Sequence, residues 1–142
     1  LVDDRDFEWL NQWKWKILET KNIFYAVRSS KNTTQRMHRL IMKTPKGMET
    51  DHINGDGLDN RRKNLRICTK IENSRNQRIS KNNTSGHKGV SWSNAMNKWR
   101  ADIGIDKKII YLGNFKDKKD AALAYNKAAQ RYFKEFAKLN KI

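Results

Sequence analysis

The sequence predicts an α+β fold in two small units, and three observations carry that expectation. Between Thr50 and Asn73, two short alternating segments flank a long polar loop and lead into a helix signal. Between His87 and Gly113, three short runs alternate apolar and polar residues, and an alanine-rich helical stretch follows them. Between these regions, Ser80 to Gly86 reads Ser-Lys-Asn-Asn-Thr-Ser-Gly without one apolar residue, which is linker composition. The expected division is therefore a unit at 1–79, a linker at 80–86 and a second unit at 87–142. A chain of 142 residues accommodates one ordinary domain or two small ones. Hydrophobic residues make up only 37%, yet five Trp, five Phe and four Tyr are among them, and a few large aromatics can fill small cores.

Each element has its own signal. Asp3, Asp4 and Asp6 precede Phe7, Leu10 and Trp13, whose spacing of three predicts a short helix with an acidic first turn. Trp13, Trp15 and Ile17 alternate with Lys14 and Lys16, which is strand periodicity. Thr20-Lys21-Asn22 turns the chain into a second strand at Phe24–Val27. Met37, Leu40 and Ile41 predict one or two helical turns, ended by Pro45-Lys46-Gly47. The aromatics of this region read most simply as core, with base stacking by Trp13 or Trp15 as the weaker alternative. Leu65 and Ile67 alternate with Asn64, Arg66 and Cys68, and Thr69-Lys70-Ile71-Glu72 is a capping box that starts a helix near Lys70.

In the second unit, Val90 and Trp92 alternate with Ser91 and Ser93, and Trp99, Ala101 and Ile103 alternate with Lys98, Arg100 and Asp102. Ile110 and Leu112 alternate with Ile109 and Tyr111, so three strands are expected, with turns near Asn94–Asn97 and Asp106-Lys107 and an end at Gly113. Asp117 and Asp120 cap the strongest helix signal in the chain. Ala121, Ala124, Tyr125, Ala128 and Tyr132 form its stripe toward the sheet, which leaves the face bearing Lys98, Arg100 and Tyr111 for a partner.

Charge narrows the class of partner. Lys and Arg number 31 against 15 acids, a net charge of +16. Residues 61–88 alone hold nine Lys or Arg and a single acid, Glu72. Such a balance indicates a polyanion, bound through release of phosphate counterions. A ribosomal-type or merely soluble basic protein is the plain alternative. A membrane surface is a third, without a long basic amphipathic helix to support it. The longest apolar runs are too short to span a bilayer, and no signal-peptide core is visible. The first residue is Leu1 rather than Met, which leaves a preceding segment open. The lone Cys68 excludes an internal disulfide and a zinc cage of cysteines, and a reducing cytoplasm is the natural setting.

The chemistry concentrates at Asp51-His52, Asn64 and Asn73. Asp51 offers a carboxylate oxygen and Asn73 an amide oxygen, and two such ligands leave room on a Mg²⁺-like ion for water and phosphate. His52 is the one group there that moves a proton near neutral pH, and Asn64 is placed to hold its ring. The combination suits hydrolysis of a phosphodiester. Each residue is weak alone: a lone His is more often structural, and Asn-Gly-Asp-Gly is more often just a turn. The loop also lacks the spacing of a twelve-residue calcium loop.

Asp-His-Ile-Asn-Gly-Asp-Gly-Leu-Asp-Asn-Arg-Arg-Lys-Asn-Leu-Arg, at 51–66, resembles the signature of HNH endonucleases of the phage and intron homing type. His38-Arg39-Leu40 upstream fits the same family. The resemblance implies a β-β-α-metal fold, one divalent ion (Mg²⁺ or Mn²⁺) and nicking or cutting of double-stranded DNA. It implies Asp51 and Asn73 as metal ligands, His52 as general base and Asn64 as the residue that orients it. Asn73 stands where many relatives have His. Arg61, Arg62, Arg66, Arg75, Arg78, Lys81 and Lys88 are the expected DNA contacts, Arg75 and Arg78 at the backbone, with simple solvation of the basic linker as an equal alternative. The segments Ser85 to Trp92, Trp99 to Ala101, Tyr111 to Phe115, Ala121 to Tyr125 and Ala137 to Asn140 are similar to the DNA-binding domain of plant ethylene-response factors. That likeness implies a three-stranded antiparallel sheet on one helix, reading the major groove through Ser91, Ser93, Lys98, Arg100 and Tyr111. Ser91 and Ser93 replace base-reading arginines of the plant domains, so specificity should differ.

The resulting expectation is a site-specific homing-type endonuclease, a monomer or weak homodimer, working in the cytoplasm of a bacterial or phage-infected cell. With a single catalytic motif, cutting both strands needs two chains or two events. The alternatives are a DNA-binding regulator with an inert nuclease half and an RNA-binding translation factor. The latter leaves the Asp51-His52 pair without a role.

Overall fold

Alternation of side chains along short strands, closed by turns that demand left-handed backbone, builds both halves of this chain. The computed structural model describes residues 1–31 and 33–142. They fall into two units, Leu1–Ser74 and Arg75–Ile142.

In the first unit, helix α1 (Asp4–Leu10) carries the expected acidic first turn. A three-stranded antiparallel sheet follows, β1 (Lys16–Thr20), β2 (Ile23–Ser30) and β3 (Thr33–Arg36). The first turn uses Lys21 and Asn22 at φ of 52° and 60°, a conformation asparagine tolerates better than most residues. Trp13 and Trp15 lie ahead of β1, not in it: they stack edge-on, with centroids 6.5 Å apart, and Trp15 donates to Leu10 O. Strand β3 escaped the sequence reading because Thr33–Arg36 offers no large apolar residue. Helix α2 (Met37–Ile41) then buries Met37, His38 and Ile41. A hairpin of β4 (Glu49–His52) and β5 (Leu65–Cys68) leads into α3 (Lys70–Arg75). The capping box is formed: Thr69 N and Oγ1 both donate to Glu72, and Glu72 N donates back to Thr69 Oγ1. Leu10, Met37, Ile41 and Leu65 make the small apolar core.

In the second unit, β6 (Val90–Ser93), β7 (Lys98–Ile105) and β8 (Lys108–Phe115) form an antiparallel sheet in sequence order. The tight β7–β8 turn places Asp106 and Lys107 at positive φ. Strand β8 runs past Gly113 to Phe115, with a register shift at Ala101/Asp102. Helix α4 (Lys118–Phe133) is capped by Asp117, whose carboxylate accepts from Lys119 N. Its buried stripe is Ala121, Ala122, Tyr125, Ala128, Ala129 and Phe133. Tyr132 is exposed and Phe133 takes the inward place expected of it. Gly89, at φ of 66°, admits close packing: a Cβ there would lie 2.1 Å from the Tyr125 ring.

The boundary falls at Ser74/Arg75, ahead of the stretch expected as a linker. Residues 80–86 are polar because they satisfy themselves and their neighbours. Ser85 is buried, Asn83 accepts from Gly86 N, and Lys88 Nζ donates to Arg75 O and Gln77 O.

Candidate active site

Strand period decides which side chains meet. Pairing in the hairpin sets Asp51 opposite Arg66 and His52 opposite Leu65, so Asp51 and His52 leave opposite faces of β4. On one face, Arg66 donates from Nε and Nη2 to Asp51 Oδ2 at 2.9 and 2.7 Å. Glu49 shares that face, two residues before Asp51, and accepts a hydrogen bond from Asn73 Nδ2. The Cys68 thiol is pushed up to about 11, first by burial and then by the carboxylates of Asp51 and Glu49, with Arg66 opposing.

On the other face, His52 is buried, with its ring 4.8 Å from His38 and 6.0 Å from Tyr25. His52 Nε2 lies 3.2 Å from Asn60 Oδ1. Asn60 is 1% exposed, and its Nδ2 donates to Leu58 O. That second bond turns the amide oxygen to the ring, where a protonated Nε2 donates to it. Burial pushes the His52 pKa below the usual histidine range, against the opposing pull of Asn60 and of Asp51, Asp56 and Asp59. Burial drives His38 down to about 3, and its Nδ1 has no hydrogen-bond partner among the described residues.

Asn64 holds the loop. Its Nδ2 donates to Asp59 O and Asn54 Oδ1, and its Oδ1 accepts from Asn54 N. The amide expected on the imidazole is thus the one at 60, and Asn64 fixes the turn that presents it. Asp59 anchors Arg61 through two 2.7 Å bonds, and Arg61 holds the Asp59 carboxyl down to about 2. Arg62 gives its backbone N–H to Asp3 and its guanidinium to Asp6, which is 2% exposed. Helix α1 therefore braces the loop that carries Asn60.

Several cations expected at phosphates have intramolecular work instead. Arg61, Arg62 and Arg66 pair with Asp59, Asp6 and Asp51. The Arg75 guanidinium lies 4.8 Å over the Phe133 ring, and the Lys88 ammonium is bound by two carbonyls. Asp59 lies two residues before Arg61, whereas Asp6 and Asp51 are distant in sequence from Arg62 and Arg66. Arg78 and Lys81 are exposed. Ser91, Ser93, Lys98, Arg100 and Tyr111 do share one face of the second sheet, opposite the face that carries buried Val90, Ala101 and Ile103. There Arg100 pairs with Asp102 and lies over Tyr111.

The donor chemistry fits a hard divalent cation. Asp51 and the amide of Asn73 offer oxygen donors, with Glu49 bonded to that amide. Among the described residues no three His, Cys, Asp or Glu side chains form a metal cluster, so such an ion would complete its shell with amide oxygen, water and phosphate.

The β-hairpin thus carries a buried histidine, a polar loop and oxygen donors at the strand–helix junction. Residues 37–75, from the start of α2 to the end of α3, match the HNH endonuclease family. The chain is 44% identical over 64 residues to Protein 3.8 of Escherichia phage T7, covering 45% of this chain and 53% of that protein. It is 32% identical over 113 residues to an uncharacterized HNH endonuclease of Acanthamoeba polyphaga mimivirus, covering 75% of this chain and 58% of that one. The chain thus spans little more than half the length of each of these relatives. No helix among the described residues is long and apolar enough to cross a membrane.

Proposed function

We propose that the chain is a metal-dependent endonuclease that hydrolyses phosphodiester bonds of double-stranded DNA at chosen sites, in the manner of homing enzymes. The observation that carries the reading is the held imidazole: His52 is buried, kept neutral, and fixed through Nε2 by Asn60. Its imidazole takes the proton from an attacking water, a contribution typically worth about 10²–10⁴-fold. Asp51 and Asn73 are the ligands for one divalent ion, Mg²⁺ or Mn²⁺, in a β-β-α-metal arrangement. When bound there, the ion stabilises charge on the phosphate and the leaving oxygen. Arg66 holds the Asp51 carboxylate in place.

The second unit we read as the DNA-positioning module, similar to the plant ethylene-response-factor domain. Its sheet face with Ser91, Ser93, Lys98, Arg100 and Tyr111 meets the major groove, and Arg78 and Lys81 contact phosphates on the way. The net charge of +16 supports this reading. The viral relatives favour action in the cytoplasm of an infected cell.

The test is incubation of supercoiled plasmid with the protein and Mg²⁺ or Mn²⁺, with chelator as control. Relaxed or linear product that needs both metal and His52 is the expected result. Tight binding without any product would leave a DNA-binding regulator instead.

A further inference from the structure

We propose that Glu49 is a positioning residue for the metal site, holding the Asn73 amide so that its oxygen, not its nitrogen, faces the cation. The inference rests on the reading of Asp51 and Asn73 as ligands. An asparagine amide presents two ends of nearly equal size and opposite polarity, and only the carbonyl end binds a cation. A ligating histidine offers no such ambiguity once its other nitrogen is held. Asn73 therefore needs a group that recognises its NH₂ end, and Glu49 Oε2 accepts from Asn73 Nδ2. The carbonyl end is then directed away from Glu49.

Two further observations single out Glu49. Glu72, the acid nearest in sequence, is engaged at the N-terminus of α3 by Thr69 N and Oγ1. Strand period puts Glu49 on the same face of β4 as Asp51, opposite Cys68, whereas Thr50 between them is turned to Thr44. The capping box fixes where α3 begins and so where Asn73 stands along the helix, while Glu49 fixes which way its amide turns.

Mn²⁺ binding to the full chain, without DNA, separates the roles by titration calorimetry or by the loss of the free-ion paramagnetic resonance signal. Glu49→Ala should weaken Mn²⁺ binding by about 10–100-fold, the usual cost of losing a partner that orients a ligand. Glu49→Gln keeps an acceptor for Asn73 Nδ2 and should stay within about threefold of the parent, a loss smaller than one hydrogen bond. Unchanged affinity in Glu49→Ala overturns the proposal. So does a Glu49→Gln variant as weak as Glu49→Ala, since charge or direct ligation would then be the role. If the parent binds no Mn²⁺, or Asp51→Ala binds it equally well, the metal site itself is wrong and this inference falls with it.

Discussion

The two units of this chain bury different chemistry. Among the described residues, eight of the eleven buried polar or charged ones lie in the first: Asp6, His38, Thr50, Asp51, His52, Asp59, Asn60 and Asn64. The second is held by Ile103, Tyr125, Phe133 and a floor of alanines, and Asn76, Ser85 and Asn140 are its buried polar residues among those described. Buried polar groups cost free energy unless each finds a partner, so the first unit is stable only as a completed network. The second depends on apolar area and close fit. On the proposed reading this contrast separates a unit arranged for reaction from one arranged to present a surface, and each prediction below challenges it.

The largest effect is expected at the imidazole. His52→Ala should lower metal-dependent plasmid cleavage by about 10²–10⁴-fold while leaving DNA affinity in place. A loss of affinity of the same size would mean that the first unit grips DNA instead of cutting it.

Next comes the brace from α1. Asp6→Ala leaves the Arg62 guanidinium without its buried partner and should destabilise the first unit by about 2–3 kcal/mol, below the range for fully buried pairs because Arg62 is about one-third exposed. Hydrogen exchange distinguishes the units: amides of Leu65–Cys68 should lose protection while those of Lys98–Ile105 keep it. Acid should act the same way. The His38 pKa falls from 6.5 unfolded to about 3 folded, so the unfolded chain binds the proton more tightly. Stability from this group is complete above pH 6.5 and is lost as pH falls toward 3. Asp6, lowered by Arg62, adds a loss as pH falls below the ordinary carboxylate value of 3.8. The first unit should therefore open in acid before the second.

How much of this was legible in the sequence follows the same division. Period-two alternation located β5 to β8, and the Thr69/Glu72 box located α3, because those signals are local. Tyr132 was placed inward and Phe133 passed over because a helical stripe read from small alanines is one residue ambiguous. The Asp51, His52, Asn64, Asn73 set was visible as residue types at a spacing. Which amide meets the ring was not, since Asn60 and Asn64 differ only in how the loop folds back. Glu49 was within reach: an acid two residues before Asp51 on a strand shares its face. The partners of Arg61, Arg62 and Arg66 were hidden because a basic run reads as free charge until its acids are located.

A smaller effect belongs to Asn60. Asn60→Ala should lower cleavage by about 10–100-fold, as loss of an orienting partner does. It also removes a bond that raises the His52 pKa. The base form of His52 exists above its pKa, so the acid limb of the cleavage profile should move to lower pH in this variant. A lower rate with an unmoved limb would make Asn60 a structural residue only.

The smallest change is expected on the second unit, and it bears most directly on the contrast. Lys98 lies on the sheet face opposite buried Val90 and Ala101, in register with Ser93. If it meets one phosphate, Lys98→Ala should reduce the slope of log affinity against log salt by about 0.9. Because that contact positions the duplex without touching reacting atoms, cleavage at saturating DNA should be unchanged and only the concentration needed should rise. Arg100 is a poorer probe, since removing it also frees Asp102. A Lys98→Ala variant with the parental salt slope would take this face away from DNA. One that cleaves more slowly at saturation would show that the presenting unit takes part in the reaction, and the division between the halves would no longer hold.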